Sequence, residues 1–169
     1  MKSCSIKILI VFSVFAKLVF ANDLNSVQII SDEVEWNEKE KIAYARGNAS
    51  AEQGGKKITA DELIVFLSKD EDSAINNEII LIEAIGNVVF YSLEDKATGD
   101  SAKYSLLENK IIFIGNVTLK RNENIMHGER LELNLNTGVS SISKGKKGEK
   151  VRMLFSTKSD KGKNKNDEQ

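Results

Sequence analysis

The sequence predicts an all-β domain of antiparallel strands, and two observations support this. Apolar and polar residues alternate through most of the chain from Val27 to Leu135, which is the two-residue period of strands with one buried face. The dipeptide Gly-Asn also recurs at a fixed distance from acidic residues, and a fixed period is typical of stacked architectures. No helical period is sustained after the first 21 residues. A sandwich, a roll and a solenoid all remain open.

The repeated unit is about 29 residues long, with about four units in the chain. Gly-Asn begins at Gly47, Gly86 and Gly115, and an acid follows each glycine by 14 positions. Each unit is predicted to hold about three short strands joined at Gly-Asn and at polar turns, because Gly and Asn tolerate left-handed backbone. The repeated acids are Asp32, Asp61, Asp100 and Glu129.

The repeat also predicts which side chains point inward. Two and four positions after each acid, and again after each glycine, the residues are almost all apolar. Two runs, Ile79–Ile82 and Ile111–Ile114, are apolar on both faces and are predicted to be fully buried or to lie in an interface. The inward pairs are Val34/Trp36, Leu63/Val65, Ala102/Tyr104 and Leu131/Leu133 after the acids, and Ala49/Ala51, Val88/Phe90 and Val117/Leu119 after the glycines.

The first 21 residues are typical of an export signal. Two lysines precede the apolar run Ile8–Phe15, and cleavage is expected after Ala21. Lys17 interrupts the apolar stretch, which argues against a membrane span of roughly 20 residues, although an uncleaved anchor is the rival interpretation. Cleavage would remove Cys4, the only cysteine, and leave an acidic chain unlike a nucleic-acid binder.

The folded domain is placed at residues 22–156, between the export signal and a polar tail, and it contains one polar insert. Lys69–Glu78 adds ten residues to one unit and is predicted to be a loop or hairpin extension. Residues 157–169 are charged with almost no apolar side chains, so that tail is predicted to be disordered. The final strand is expected within Val151–Phe155.

Catalytic chemistry and metal chemistry have little support in the sequence. His127 is the only histidine, and Thr59 and Thr98 occupy the equivalent positions of other units, which favours a solvent-facing strand residue. The repeated acids could bind calcium, but one acid per unit favours a turn or bulge role in which the carboxylate accepts backbone N–H bonds. We therefore expect no enzyme, no metal and no cofactor.

Four short stretches in register resemble the OstA-like family, which includes the periplasmic lipopolysaccharide transport protein LptA. The stretches are ITADEL from Ile58, ATGDSAKY from Ala97, GNVTL from Gly115 and HGERLEL from His127, and the resemblance extends from about Val27 to Phe155. It implies a twisted, open antiparallel β-jellyroll with an apolar interior for lipid A.

The resemblance also implies function and partners. Such proteins carry lipopolysaccharide through the periplasm, from an LptC-like inner-membrane component to an LptD-like outer-membrane translocon, and they self-associate head to tail by edge strands without nucleic acid. The implied interior positions are Val27, Ile29, Val34, Trp36, Val65, Phe90, Tyr104, Leu106, Val117 and Leu119. The implied edge positions are Val27, Gln28, Ile29 and Ile30, and Val151, Arg152, Met153, Leu154 and Phe155.

Two other functions stay open at this stage. A membrane-anchored, LptC-like component would share the fold and keep its N-terminal helix. A structural β-solenoid or adhesin would have no lipid ligand, and a dry, closed core would favour it.

Overall fold

The computed structural model describes residues 26–69, 78–145 and 150–156, and this part of the chain forms ten β-strands. The predicted signal, the polar tail and most of the Lys69–Glu78 insert lie outside the described residues. No helix in the described residues is long and apolar enough to span a membrane. The strands are β1 (Gln28–Ile30), β2 (Glu33–Asn37), β3 (Ile42–Gln53), β4 (Lys56–Leu67), β5 (Ile79–Tyr91), β6 (Asp95–Ser105), β7 (Lys110–Arg121), β8 (Asn124–Asn134), β9 (Ser140–Ser143) and β10 (Arg152–Leu154).

All ten strands belong to one antiparallel sheet with neighbours mostly in chain order. The order is β1-β3-β4-β5-β6-β7-β8-β10, while β2 also pairs with β3 and β9 also pairs with β8. One edge of the sheet is therefore formed by β1 and β2, and the other by β9 and β10. The predicted final strand is present at Arg152–Leu154 and pairs with β8.

Each Gly-Asn dipeptide lies inside a long strand. In β3, β5 and β7 both residues of the dipeptide have φ between 46° and 82°, and the pairing register shifts there. On β5, for example, Gly86 and Asn87 together oppose the single residue Asp100 of β6. The prediction of about three short strands per unit is wrong, because a β-bulge bends a strand without ending it.

The bulges form a continuous line across the sheet, which we name the bulge row. The sheet bends along this row into two layers that face each other. Phe90 and Tyr104 show this directly, because they lie on opposite sides of the row, yet their rings pack edge to face with centroids 6.5 Å apart. The bulge row consists of Gly47–Asn48, Asp61, Gly86–Asn87, Asp100, Gly115–Asn116 and Glu129.

The space between the two layers is the apolar core. The predicted inward pairs after all three glycines, and after Asp61, Asp100 and Glu129, are buried. Full burial of the Ile111–Ile114 run is wrong, because Ile111 and Phe113 are buried whereas Ile114 is 47% exposed. Strand alternation therefore holds even in this apolar run.

The inward pair after Asp32 behaves differently. Val34 and Trp36 are paired in register with Ala45 and Ala43, so they lie on the inner face of the sheet. They are nevertheless 60% and 45% exposed, because β2 is an edge strand with no further strand to cover it. The interior is therefore open to solvent at this edge.

Candidate functional site

The repeated acids support the bulges that shape the interior. Asn87 donates from Nδ2 to Oδ2 of Asp61 at 2.9 Å, and the same Asn-to-Asp bond joins Asn48 to Asp32 at 2.9 Å. Asn116 repeats it toward Asp100 at 3.0 Å. The predicted bulge role is confirmed, but these donors are side-chain amides where backbone N–H groups were expected. Within the described residues, no group of three or more His, Cys, Asp or Glu side chains could hold a metal ion.

The bulge row continues to the last edge of the sheet, where the acid is a glutamate and no asparagine follows the glycine. Glu129 lies against Gly145, where an added Cβ would be 3.2 Å from its Cγ. Gly145 is followed by lysine in place of asparagine. The first edge thus begins with the acid Asp32, and the last edge ends with a glycine.

The centre of the interior is filled by side chains. Of the predicted interior residues, Val65, Phe90, Tyr104, Val117 and Leu119 are buried. Three others, Val27, Ile29 and Leu106, are partly buried and pack against this core. Further buried residues lie outside the interior set that the resemblance implied, although the repeat had already assigned Leu131 and Leu133 to the inner face. They include Ile58, Ile82, Ile111, Phe113, Leu131 and Leu133.

On the side opposite the bulge row, the turns at the ends of the two layers approach each other, and we name these two sets of turns the lips. One lip carries Lys56 and Arg121, and the other carries Asn109 and Gly138. Polar contacts join the two lips. Lys56 Nζ donates to Asn109 Oδ1 at 3.3 Å, and Arg121 Nη1 donates to the Gly138 carbonyl at 2.8 Å. Sequence reasoning missed both contacts, because the alternation and the repeat say nothing about which turns meet.

Arg121 is held in place by a buried carboxylate. Its Nε and Nη2 donate to Oδ1 and Oδ2 of Asp95 at 2.6 and 2.9 Å. The Asp95 side chain is only 8% exposed, and this pairing raises the pKa of Arg121. The ion pair orients the third guanidinium nitrogen, Nη1, toward the opposite lip.

Two crevices lead from the surface toward the interior. The first lies beside β1 between Val27, Phe90 and Tyr104, and its free volume of about 10 Å³ matches about one water molecule. The second lies between the lips around Arg121 and Leu135 and has a volume of about 560 Å³.

Apolar side chains are also exposed at both edges of the sheet. The first edge exposes Val34 and Trp36, and the Trp36 indole donates to Glu38 Oε2 at 2.6 Å. On the last edge, Met153 is 50% exposed and Phe155 is 62% exposed. Such patches rimmed by polar residues are typical of interaction sites.

His127 is confirmed as a solvent-facing strand residue. It is exposed on β8, and its Nδ1 lies 2.9 Å from Oγ1 of Thr118 on β7. This cross-strand contact lies on the outer face of the sheet, away from the apolar interior.

The molecule is thus an open β-jellyroll, with one sheet folded around an apolar interior. The family model for the LptA/(LptD N-terminal domain) LPS transport protein matches residues 28–139. The chain therefore belongs to this family of lipopolysaccharide transport proteins, which confirms the resemblance seen in the sequence motifs.

One relative from Pseudomonas aeruginosa agrees with this assignment. The chain is 23% identical over 112 residues to the lipopolysaccharide export system protein LptH, and the match spans 62% of this chain and 61% of that protein. The crystal structure of LptH, the LptA homologous periplasmic component of the conserved lipopolysaccharide transport device of that organism, superposes with a TM-score of 0.70. That comparison covers 80% of this chain and 99% of the other at 15% identity, so it shows a shared fold.

Proposed function

We propose that this protein is a periplasmic, non-enzymatic carrier that binds lipopolysaccharide by the acyl chains of lipid A and passes it from the inner toward the outer membrane. The observation that carries the proposal is the apolar interior running from exposed Trp36, through buried Phe90, to exposed Met153. Burial of each CH₂ group contributes about 0.8 kcal/mol, so an interior of this kind binds acyl chains without a charged pocket.

Entry of an acyl chain requires the lips to separate, because side chains fill the centre of the interior. The Lys56–Asn109 and Arg121–Gly138 contacts are side-chain hydrogen bonds that join the lips. A hydrogen bond contributes about 0.5–1.5 kcal/mol net, so each lip contact adds little to the cost of opening. Opening also separates packed apolar side chains, and an entering acyl chain would replace those apolar contacts. The bulge row on the opposite side would then act as the hinge.

Head-to-tail self-association is supported by the strand directions at the two edges. The strands alternate in direction from β3 to β8, and β10 runs antiparallel to β8 while β1 runs antiparallel to β3. A second copy placed with its β1 and β2 beside β10 and β9 of the first would continue the antiparallel sheet. It would also place Asp32 next to Gly145, which continues the alternation of acid and glycine in the bulge row.

The charges of the two edges support the same arrangement. Residues 28–38 contain four acidic residues and no lysine or arginine, whereas residues 140–156 contain five basic residues and one acid. Opposite charges steer association and fix the register of an interface. The LptC-like and LptD-like partners implied by the family would pair with the same two free edges.

The filled centre favours a second candidate function, a structural jellyroll that binds no lipid. Substitution at the open edge separates the two. We expect Trp36→Asp to weaken binding of purified lipopolysaccharide at least tenfold, because it places a charge on the inner face of the lipid path. Asn37→Asp adds the same charge to the neighbouring outward position and serves as the control.

Binding is measured by titrating the folded chain from residue 22 with lipopolysaccharide, and with its deacylated form as a second control. Binding of intact lipopolysaccharide that Trp36→Asp alone weakens supports the carrier. No binding, or equal binding of the deacylated form, would identify the structural protein. The intact mass of the exported protein separately excludes an LptC-like anchor if residues 1–21 are lost.

A further inference from the structure

The hydroxyl of Tyr104 is a polar atom buried within an apolar interior. Tyr104 is 5% exposed, and its hydroxyl is the one buried side-chain polar atom of the described residues that has no hydrogen-bond partner. Burial raises the pKa of this phenol, so the hydroxyl keeps its proton and remains a donor at neutral pH.

The ring of Tyr104 does not need the hydroxyl for its position. It packs edge to face against Phe90, and its neighbours across the strands are Ile82 of β5 and Ile111 of β7. A phenylalanine would make the same contacts and avoid the cost of burying an unpaired donor. The crevice beside this hydroxyl has room for about one water molecule, and a polar atom of a ligand that enters the crevice would take the place of that water.

The surroundings of Tyr104 define the chemistry of that ligand. The crevice beside β1 has apolar walls that include Ile58 and Leu106. Its polar rim carries Lys56 together with Lys57, which pairs with the Glu52 carboxylate at 3.8 Å. An acyl chain fits the walls, and its polar head group would lie at the rim. A polar atom on the chain itself fits the Tyr104 hydroxyl.

We propose that the Tyr104 hydroxyl donates a hydrogen bond to a hydroxyl group on a bound acyl chain, which makes the crevice selective for hydroxylated chains over plain ones. The proposal rests on the proposed function, because it requires acyl chains to enter the interior and widen the crevice. The same chemistry applies to a 3-hydroxyacyl chain of a lipid and to a free 3-hydroxy fatty acid.

Two fatty acids that differ only in one hydroxyl provide the test. The dissociation constants of monomeric myristate and 3-hydroxymyristate are measured by calorimetry for the wild-type protein, Tyr104→Phe and Tyr91→Phe. We expect the wild type to prefer 3-hydroxymyristate by about threefold to tenfold, as one hydrogen bond provides. Tyr104→Phe should bind the two acids equally. Tyr91→Phe should keep the preference, because Tyr91 is 41% exposed on the outer face.

The outcomes separate this proposal from the proposed function. Equal binding of both acids to the wild type, or a preference unchanged in Tyr104→Phe, would overturn the hydroxyl contact and leave acyl-chain binding intact. If the protein binds neither fatty acid and does not bind lipopolysaccharide, both proposals are overturned. A different outcome is that Tyr104→Phe unfolds at a lower temperature without ligand and keeps the preference for 3-hydroxymyristate. That result would show that the hydroxyl stabilises the unliganded protein and does not contact the acyl chain.

Discussion

The carboxylate of Asp61 on β4 lies directly over Gly86 of β5 and occupies the space that a side chain at Gly86 would need. Gly86 has φ of 78°, and the next residue, Asn87, donates to the same carboxylate. The arrangement recurs at Gly47 with Asp32 and at Gly115 with Asp100. The three bulges therefore bend the sheet at one level, which creates the interior that the proposed function requires.

Gly86→Ala is expected to destabilise the protein by about 3 kcal/mol or more, because it combines left-handed backbone with displacement of Asp61. Gly55→Ala is the matched control, since Gly55 has the same φ of 78° but nothing within 4 Å of an added Cβ. Left-handed backbone alone costs roughly 1–2 kcal/mol. Urea unfolding measures both variants, and equal destabilisation would contradict the close packing of Asp61 on Gly86.

Asp95→Asn is expected to lower the free energy of unfolding by about 1.5–3 kcal/mol, because it removes the charge that pairs with Arg121 in a buried setting. Glu83→Gln is the control at an exposed pair. Lys103, the partner of Glu83, is 59% exposed, so the effect should stay below about 1 kcal/mol. Similar losses in the two variants would show that the Asp95 pair is no stronger than a surface contact.

Asn109→Gly is expected to speed the uptake of lipopolysaccharide by about twofold to tenfold, because it removes the acceptor that Lys56 uses to join the lips. Asn122→Gly is the matched control. Both asparagines lie in turns with positive φ, of 50° and 54°, so glycine suits the backbone at each. Stopped-flow fluorescence of Trp36 provides the rate, and an unchanged rate in Asn109→Gly would rule out this contact as a barrier to opening.

Self-association is expected to depend on the opposite charges of the two edges. Glu33→Lys and Lys150→Glu should each weaken assembly, and both residues are exposed at the edges. The double variant should assemble again, because it exchanges the two charges. Sedimentation velocity at increasing protein concentration measures the effect, and deletion of residues 151–169 should diminish assembly. If the double variant does not assemble again, the proposed pairing of the two edges is contradicted.

The inward register could be predicted from sequence because strand alternation and the repeat are local properties. Val88 and Phe90 were assigned to the core from their distance to Gly86, and they are buried. The bulge was mistaken for a turn, because Gly-Asn with left-handed backbone is common to both. A bulge is distinguished from a turn here by the pairing of Gly86 and Asn87 with the single residue Asp100, and that pairing depends on the neighbouring strand.

The lip contacts could not be predicted, because they depend on how far the folded sheet twists. Lys56 meets Asn109 across 53 positions of the chain, and nothing in the local sequence of either residue indicates this partner. The exposure of Trp36 was missed for a similar reason. Its inward direction follows from alternation, but its exposure depends on β2 being an edge strand.

Photo-crosslinking at two neighbouring positions tests the central claim most directly. A photoreactive amino acid at Phe90 lies within the apolar interior, whereas the same amino acid at Val89 lies on the outer face of β5. In cells that make lipopolysaccharide, we predict that the Phe90 variant captures lipopolysaccharide and the Val89 variant does not. Equal capture at both positions, or none at Phe90 in a folded and exported protein, would contradict transport through the interior.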